Sequence, residues 1–141
     1  MTRECKRGAG SSATATLLSV SPNEEDHRTV EGCFRRSAWP IRKAATCLEA
    51  ERALGEQTVA VMLCERELPD GDWKRLLEMA NRRAEPPLVV VTSRLADERL
   101  WAEVLNLGGY DLLMKPWDRG ELTRVLELAR LNWQEGRAVR T

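Results

Sequence analysis

The sequence has no excess of charge of either sign and no long apolar run, and it contains a single histidine. Lys and Arg together number 22, as do Asp and Glu, so the formal net charge is zero. A nucleic-acid binder usually carries a basic excess or a basic stripe, so we expect no contact with nucleic acid. No apolar run approaches the roughly 20 residues that cross a bilayer. Arg3, Lys6 and Arg7 precede no apolar segment of the kind found in secretory signals. We therefore expect a cytoplasmic protein that does not bind a membrane.

The cysteines and the histidine do not form a recognisable metal or catalytic pattern. Cys5, Cys33, Cys47 and Cys64 contain no C-x-x-C pair, and the single histidine is His27. A structural zinc site needs ligands in closer clusters, so we expect no metal and interpret the cysteines as reduced thiols. The sequence also lacks a glycine-rich phosphate loop and a Ser/His/Asp set, which argues against an unrelated small enzyme or nucleotide binder.

The chain of 141 residues is long enough for one domain with its own core. Segment 1–15 is rich in Gly, Ser, Thr and charge, and it is predicted to be a disordered leader. Segment 16–133 is predicted to fold, and segment 134–141 to form a short frayed tail. We expect no room for a second domain, so the folded part would be a free-standing module.

Strand and helix patterns alternate regularly through the folded segment. Apolar and β-branched runs predict strands at 16–20, 39–45, 58–64, 88–92 and 110–114. A helical pattern follows each strand, at 23–36, from Thr46 to near Gly55, from Trp73 to Ala80, from a Ser93 cap to residue 107, and from Asp118 to Trp133. Five alternating pairs predict an α/β fold with a parallel sheet and helices on both faces.

The predicted inner faces of the helices follow from their apolar spacing. On the fourth helix they are Leu100, Trp101, Val104 and Leu105. Trp73 and Trp133 are likewise expected in the core. Glu24, Glu25 and Asp26 open the first helix, where the helix dipole favours anions.

Doubly wound sheets bind their ligands at the carboxyl ends of the strands. The residues there are the candidates for a functional site: Ser21, Pro22, Glu65, Thr92, Ser93, Lys115 and Pro116.

These edge residues resemble the receiver domain of bacterial response regulators, over about 16–133. The third strand and its loop read VMLCERELPDGD, with Glu65 at the family's acceptor position and Pro69 four residues later. The fourth strand ends in Thr92-Ser93, similar to the family's Thr/Ser followed by a small residue. The fifth reads GGYDLLMKPW, similar to the family's Gly-Ala-x-x-Tyr-x-x-Lys-Pro-Phe. The order and spacing of these pieces together are specific. The resemblance implies a CheY-like, flavodoxin-like doubly wound sheet of five parallel strands in the order 2-1-3-4-5.

The resemblance also implies residue roles. In the family an Asp accepts a phosphoryl group, two acidic residues help to hold Mg²⁺, and a Thr/Ser and a Lys contact the phosphoryl oxygens. An aromatic residue on the fifth strand reports the event. Here Thr92, Lys115 and Pro116 match that pattern.

Four positions depart from the family. The acidic pair is replaced by Ser21 and Pro22, the acceptor by Glu65 and the switch aromatic by Leu112. Because Mg²⁺ needs hard oxygen ligands and phosphoryl transfer depends on positioning and charge neutralisation, we expect neither Mg²⁺ binding nor efficient phosphorylation. The acids at 24–26 could replace the lost pair only after a register shift, and we expect them to serve the helix N-terminus instead. We hypothesise that Glu65 faces Lys115 and that each keeps the other ionised.

The sequence therefore predicts a pseudo-receiver: a signalling module of a two-component system or phosphorelay that is not an enzyme and binds proteins without phosphorylation. The expected partners are signalling proteins, such as a histidine kinase or an output protein. The face formed by the fourth helix, fifth strand and fifth helix could also form a homodimer. Two alternatives stay open, a genuine phosphoacceptor with an atypical site and a scaffold or oligomerisation domain.

Overall fold

The computed structural model describes residues 15–140, with side chains described for 15–137. The predicted leader, 1–15, lies outside the described residues except for Ala15, which is buried.

Five parallel strands form one sheet in the order β2-β1-β3-β4-β5. The strands are β1 (Thr16–Val20), β2 (Ile41–Ala44), β3 (Val59–Glu65), β4 (Leu88–Ser93) and β5 (Asp111–Met114). A short antiparallel hairpin, Glu67–Leu68 with Gly71–Asp72, follows β3 at the predicted turn. The flavodoxin-like class and the strand order expected from the sequence are confirmed.

Within residues 15–140, four helices connect the strands, and a fifth follows β5: α1 (Glu24–Cys33), α2 (Cys47–Glu56), α3 (Trp73–Asn81), α4 (Glu98–Asn106) and α5 (Arg119–Arg140). The Thr46 side chain caps α2 by accepting a hydrogen bond from the Glu49 N–H at 3.0 Å, as predicted. Helix α1 ends at Cys33 rather than at residue 36, and β2 begins at Ile41 rather than at residue 39.

A hydrophobic cluster covers each face of the sheet. Along β3, Met62 and Cys64 lie in the cluster beneath α2, α3 and α4, whereas Val61 and Leu63 lie beneath α1 and α5. Successive strand residues point to opposite faces, so a strand covered on both sides must be apolar throughout. Trp73 and Trp133 are in the core, as predicted. They belong to the buried inner faces of α3 and α5, which comprise Trp73, Leu76, Leu77 and Ala80 on α3, and Leu122, Leu126, Ala129 and Trp133 on α5, with Val125 partly buried.

The inner face of α4 is narrower than predicted. Leu100 and Val104 are buried, but Trp101 is 49% and Leu105 38% exposed, so their assignment to the core was wrong. Each helical residue is rotated by about 100° from the one before, which turns these two side chains away from the sheet.

The start of α4 was also predicted wrongly. Ser93 pairs in the β4–β5 ladder and its carbonyl accepts the Lys115 N–H at 3.0 Å, so its backbone is extended. The N-cap is Asp97, which accepts a hydrogen bond from the Leu100 N–H at 2.9 Å.

Helix α5 continues to Arg140, so residues 134–140 are helical where the sequence predicted a tail. The Arg137 guanidinium pairs with Glu85 at 2.7 Å and lies 5.2 Å from the centroid of Trp133. The ion pair between Arg137 and Glu85 joins residues far apart in the chain, so local sequence patterns do not indicate it.

The cysteines within the described residues, Cys33, Cys47 and Cys64, are free thiols. Burial raises the pKa of Cys47 to about 11, and burial also raises the pKa of Cys64. Because the thiolate is the nucleophile, these two residues are structural at neutral pH.

The N-terminus of α2 is held by Asp70, from the hairpin loop. Its carboxylate accepts the N–H of Cys47 at 2.7 Å and of Leu48 at 3.0 Å. These hydrogen bonds, that from Cys47 above all, lower the pKa of Asp70 below its usual value. The loop that follows β3 is thereby fastened to a neighbouring helix.

Asp70→Ala is expected to lower the urea midpoint of unfolding at neutral pH. Because the folded pKa is depressed, the ionised carboxylate stabilises the fold above the unfolded pKa of about 3.9, and this contribution is lost as the pH falls through the folded pKa. The difference in urea midpoint between the variant and the wild type should therefore become smaller as the pH of the titration is lowered. Glu78→Ala, at an exposed position of α3, is the control. A difference that stays constant over the whole pH range would contradict this role.

Candidate functional site

A cavity of about 320 Å³ opens at the carboxyl ends of the strands, where the sequence placed the site. Segments after β1, β3, β4 and β5 form its walls. Its lining comprises Ser21, Pro22, Asn23, Asp26, Glu65, Arg66, Glu67, Ser93, Arg94, Leu95 and Lys115.

Lys115 lies at the floor of this cleft between two carboxylates. Its Nζ is 2.6 Å from Asp26 Oδ2 and 2.7 Å from Glu65 Oε1. The three side chains are 7%, 9% and 19% exposed for Lys115, Asp26 and Glu65, so solvent screens these ion pairs only weakly. Glu65 and Lys115 therefore lie together as hypothesised. Two carboxylates face one ammonium group, so the floor carries one net negative charge.

Asp26 is the site residue that the sequence argument missed. Glu24 and Glu25 are exposed at the helix N-terminus, as expected, but Asp26 is buried and points into the cleft. Asp26 precedes the buried Val30 by four residues, and residues at that spacing share one face of a helix. The position of Asp26 on the inner stripe of α1 was the signal that could have identified it.

Ser21 and His27 hold Asp26 in place. The buried Ser21 hydroxyl donates to Asp26 Oδ2 at 2.6 Å. His27 Nε2 lies 2.9 Å from the Ser21 carbonyl and Nδ1 lies 2.8 Å from Ser19 Oγ. A carbonyl can only accept, so Nε2–H is the donor in that bond. Ser21 thus supports a carboxylate instead of supplying one, while Pro22 is exposed beside it.

Thr92 and Lys115 both contact Trp117. The Trp117 Nε1–H donates to Thr92 Oγ1 at 2.8 Å, and Lys115 Nζ lies 5.3 Å from the centroid of the Trp117 ring. Trp117 follows Pro116, whose peptide bond with Lys115 is cis. In the family motif this hydroxyl group contacts the phosphoryl oxygens. Here its oxygen accepts a hydrogen bond from the Trp117 indole instead.

Leu112, at the position of the family's aromatic switch, is partly buried on β5 and packs against the cluster beneath α2, α3 and α4. Its side chain has no polar group with which to form a hydrogen bond to Thr92 or to the cleft.

The residues of the cleft do not fit a Mg²⁺ ion of the kind that the family binds. In the described part of the chain, no three His, Cys, Asp or Glu side chains are grouped to hold a metal. The carboxylates of Asp26 and Glu65 lie at the floor, and the Lys115 ammonium bridges them. A divalent cation at this point would have to compete with that ammonium group and would gain few protein oxygens.

A doubly wound sheet whose cleft is lined by Lys115 and the loop after β3, with Thr92 buried beside it, is the arrangement of a receiver domain. The model of the response regulator receiver domain matches residues 23–127, and the chain belongs to this family. It is accordingly a receiver domain of two-component signalling. Domains of this family are signalling modules that interact with kinases and output domains and can dimerise.

Solved receiver structures share the fold at low sequence identity. The signal receiver domain of a putative Luxo repressor protein from Vibrio parahaemolyticus has a TM-score of 0.84 and 16% identity, over 91% of this chain and 98% of that one. The receiver domain of an HD domain-containing protein from Pseudomonas fluorescens Pf-5 has a TM-score of 0.80 and 22% identity, over 89% and 93%. A CheY-like receiver protein from Methanospirillum hungatei JF-1 has a TM-score of 0.77 and 17% identity, over 87% and 98%. The search of curated proteins gave no significant match.

Within residues 15–140, no helix is both long enough and apolar enough to cross a membrane.

Proposed function

We propose that this receiver domain signals through protein–protein contacts that do not require phosphorylation. The observation that carries the proposal is the ion-paired group Asp26–Lys115–Glu65, with Lys115 Nζ 2.6 Å and 2.7 Å from the two carboxylates. A working site needs a free Lys to neutralise the phosphoryl oxygens and acidic ligands to hold the metal. Here Lys115 already neutralises Asp26 and Glu65, and these two carboxylates already pair with Lys115.

The Lys115 ammonium group acts as a built-in cation. It bridges two carboxylates, which is the task that Mg²⁺ performs between the acceptor and the acidic residues of a phosphorylated receiver. The Glu65 carboxylate reaches one methylene farther than an Asp, and it places an acidic group at the acceptor position without phosphorylation. The charge arrangement of the cleft is therefore fixed by the sequence.

The residues at the family's switch positions also disfavour a conformational change. The Trp117 indole N–H donates to the Thr92 hydroxyl oxygen at 2.8 Å, so Thr92 must lose this hydrogen bond to move. Leu112 replaces the aromatic side chain that reports phosphorylation in the family. These features favour a domain that stays in one conformation.

Beryllofluoride with Mg²⁺ is the first test, because it imitates a bound phosphoryl group. Amide NMR spectra of the protein are expected to remain unchanged when Mg²⁺ and beryllofluoride are added, with no saturable shift at Glu65, Thr92 or Lys115. Saturable shifts at these amides that depend on Mg²⁺ would support the alternative, a genuine phosphoacceptor with an atypical site.

A second proposal concerns the α4–β5–α5 face, which we propose as a homodimer interface. Large apolar side chains are exposed on all three elements: Trp101 and Leu105 on α4, Met114 on β5, and Leu128 and Leu131 on α5. A groove of about 390 Å³ runs between Trp101, Leu105 and Leu128. An exposed apolar groove of this kind is typical of interaction sites. A beryllofluoride-activated NtrC4 receiver domain, 19% identical with a TM-score of 0.77, was solved as a dimer.

Trp101→Glu is expected to convert a concentration-dependent dimer into a monomer, because it places a charge in the centre of the apolar face. Sedimentation velocity over a range of concentrations measures this. Leu48→Glu, at a comparably exposed apolar position on α2, is the matched control and should leave association unchanged. A wild-type protein that remains monomeric at all concentrations would rule out the homodimer and leave this face to a different protein partner.

A further inference from the structure

The rim of the cleft carries two arginines that take no part in the ion-paired group at its floor. Arg66 follows β3 and Arg94 follows β4, and both line the cavity. Among the described residues, neither guanidinium group forms an ion pair, whereas Arg42, Arg130 and Arg137 each do.

The backbone holds these two arginines side by side. Glu65 and Thr92 are aligned in the ladder between neighbouring strands, so Arg66 and Arg94 leave the sheet at adjacent points. The Arg66 N–H donates to the Thr92 carbonyl at 2.9 Å, and the Arg66 carbonyl accepts the Trp73 N–H at 3.0 Å. After β4, the Ser93 hydroxyl accepts the Leu95 N–H at 3.1 Å, which fixes the turn that carries Arg94. Both side chains therefore start from an ordered backbone, which reduces the entropy lost on binding.

The charges of the cleft are arranged in two layers. The floor has one net negative charge from Asp26, Lys115 and Glu65, and the rim has the positive charges of Arg66 and Arg94. The floor therefore repels an entering anion, whereas the rim attracts it, which favours binding at the arginines over binding at Lys115. Glu67, which also lines the cavity, is exposed and partly offsets the rim charge.

The neighbouring surface is apolar. Leu95 is 74% exposed at the edge of the cavity, next to Arg94, and Pro22 is exposed on the opposite wall. A free inorganic anion gains nothing from such a surface, whereas a peptide with an apolar side chain beside its anionic one does.

We propose that the rim binds an anionic side chain of a partner protein between Arg66 and Arg94, with an adjacent apolar side chain on Leu95. Guanidinium groups bind carboxylates and phosphates with paired hydrogen bonds, so an Asp, a Glu or a phosphorylated Ser of the partner shares the required chemistry. The inference rests on the proposed function, because a cleft that accepted a phosphoryl group and Mg²⁺ would need this entrance open.

An NMR titration with three acetylated and amidated tripeptides tests the proposal: Leu-Asp-Leu, Leu-Asn-Leu and Leu-phosphoserine-Leu. The aspartate peptide should give saturable shifts at the amides of Arg66, Arg94 and Leu95, and the asparagine peptide should not. Higher salt should weaken the binding, because the rim is exposed. Tighter binding of the phosphoserine peptide would identify a phosphorylated partner as the source of the anion.

Variants separate the rim from the rest of the protein. Arg66→Gln with Arg94→Gln should weaken the binding of the aspartate peptide by about tenfold. Arg94→Gln alone is the second variant, since Arg94 is exposed and its loss should not disturb folding. Arg83→Gln is the matched control, because Arg83 is exposed near the start of β3 at the opposite edge of the sheet.

Three results would overturn the inference: equal shifts with the asparagine peptide, unchanged binding by the double variant, or no binding of either anionic peptide. Inorganic phosphate that saturates the same amides at lower concentration than the peptides would also overturn it, as a site for a free ion. If the beryllofluoride spectra are unchanged and the peptides do not bind, only this inference fails. If beryllofluoride shifts the cleft amides, the proposed function fails.

Discussion

Lys115→Met is expected to lower the free energy of unfolding by about 3 kcal/mol, at the lower end of the range for breaking a buried ion pair. The substitution leaves Asp26 and Glu65, which are 9% and 19% exposed, without their common cation. The cleft opens to solvent and can relax in part, which is why the lower end applies. Urea unfolding at neutral pH measures the change.

Lys74→Met is the matched control for this variant. Lys74 pairs with Glu103 at 2.9 Å, but the two side chains are about half exposed, so solvent screens this pair and the loss of stability should be much smaller than for Lys115→Met. Adding Asp26→Asn and Glu65→Gln to Lys115→Met removes the unpaired charges and should restore most of the lost stability. Glu65→Gln alone should have a small effect, because Asp26 still neutralises Lys115. If Lys115→Met is as stable as Lys74→Met, the ion-paired group does not organise the cleft.

Restoring the family's acidic residues is expected to produce a phosphorylatable protein. The variant returns the acceptor and the acidic pair and removes the additional carboxylate from the floor, by the substitutions Ser21→Asp, Pro22→Asp, Glu65→Asp and Asp26→Asn. The restored carboxylates supply ligands for Mg²⁺, and Lys115 is freed to contact phosphoryl oxygens. Incubation with a small phosphodonor and Mg²⁺ should then add one phosphoryl group to the intact mass.

Glu65→Asp alone is the control for that experiment. It returns the acceptor but leaves Ser21 and Pro22 in place of the metal ligands, and Asp26 still pairs with Lys115. We expect no Mg²⁺-dependent adduct. Labelling of Glu65→Asp as strong as that of the fourfold variant would mean that the lost acidic pair is not what inactivates the site.

The sequence was sufficient for the topology, because the alternation of apolar runs and helical periodicity is local information. It was also sufficient for the pair of Glu65 and Lys115, since both follow strands whose carboxyl ends meet at one edge. Asp26 was missed because a carboxylate in the first turn of a helix has a general electrostatic explanation at the helix N-terminus. Only the rotation of α1 about its axis distinguishes the buried Asp26 from its exposed neighbours Glu24 and Glu25.

The other errors have a related origin. Trp101 and Leu105 fit a helical apolar stripe, but a stripe does not specify whether the sheet beneath the helix is wide enough to cover it. The bond between Trp117 and Thr92 depends on the path of the chain after Lys115, which residue types do not reveal.

The central claim is that the wild-type protein is not a phosphoacceptor. The most direct test is to incubate it with a small phosphodonor, with and without Mg²⁺, and to measure both intact mass and turnover of the donor. We predict an unmodified mass and no Mg²⁺-dependent turnover, while the fourfold variant becomes labelled in parallel. A Mg²⁺-dependent adduct or turnover in the wild type would contradict the account, because Glu65 would then be phosphorylated despite its pairing with Lys115.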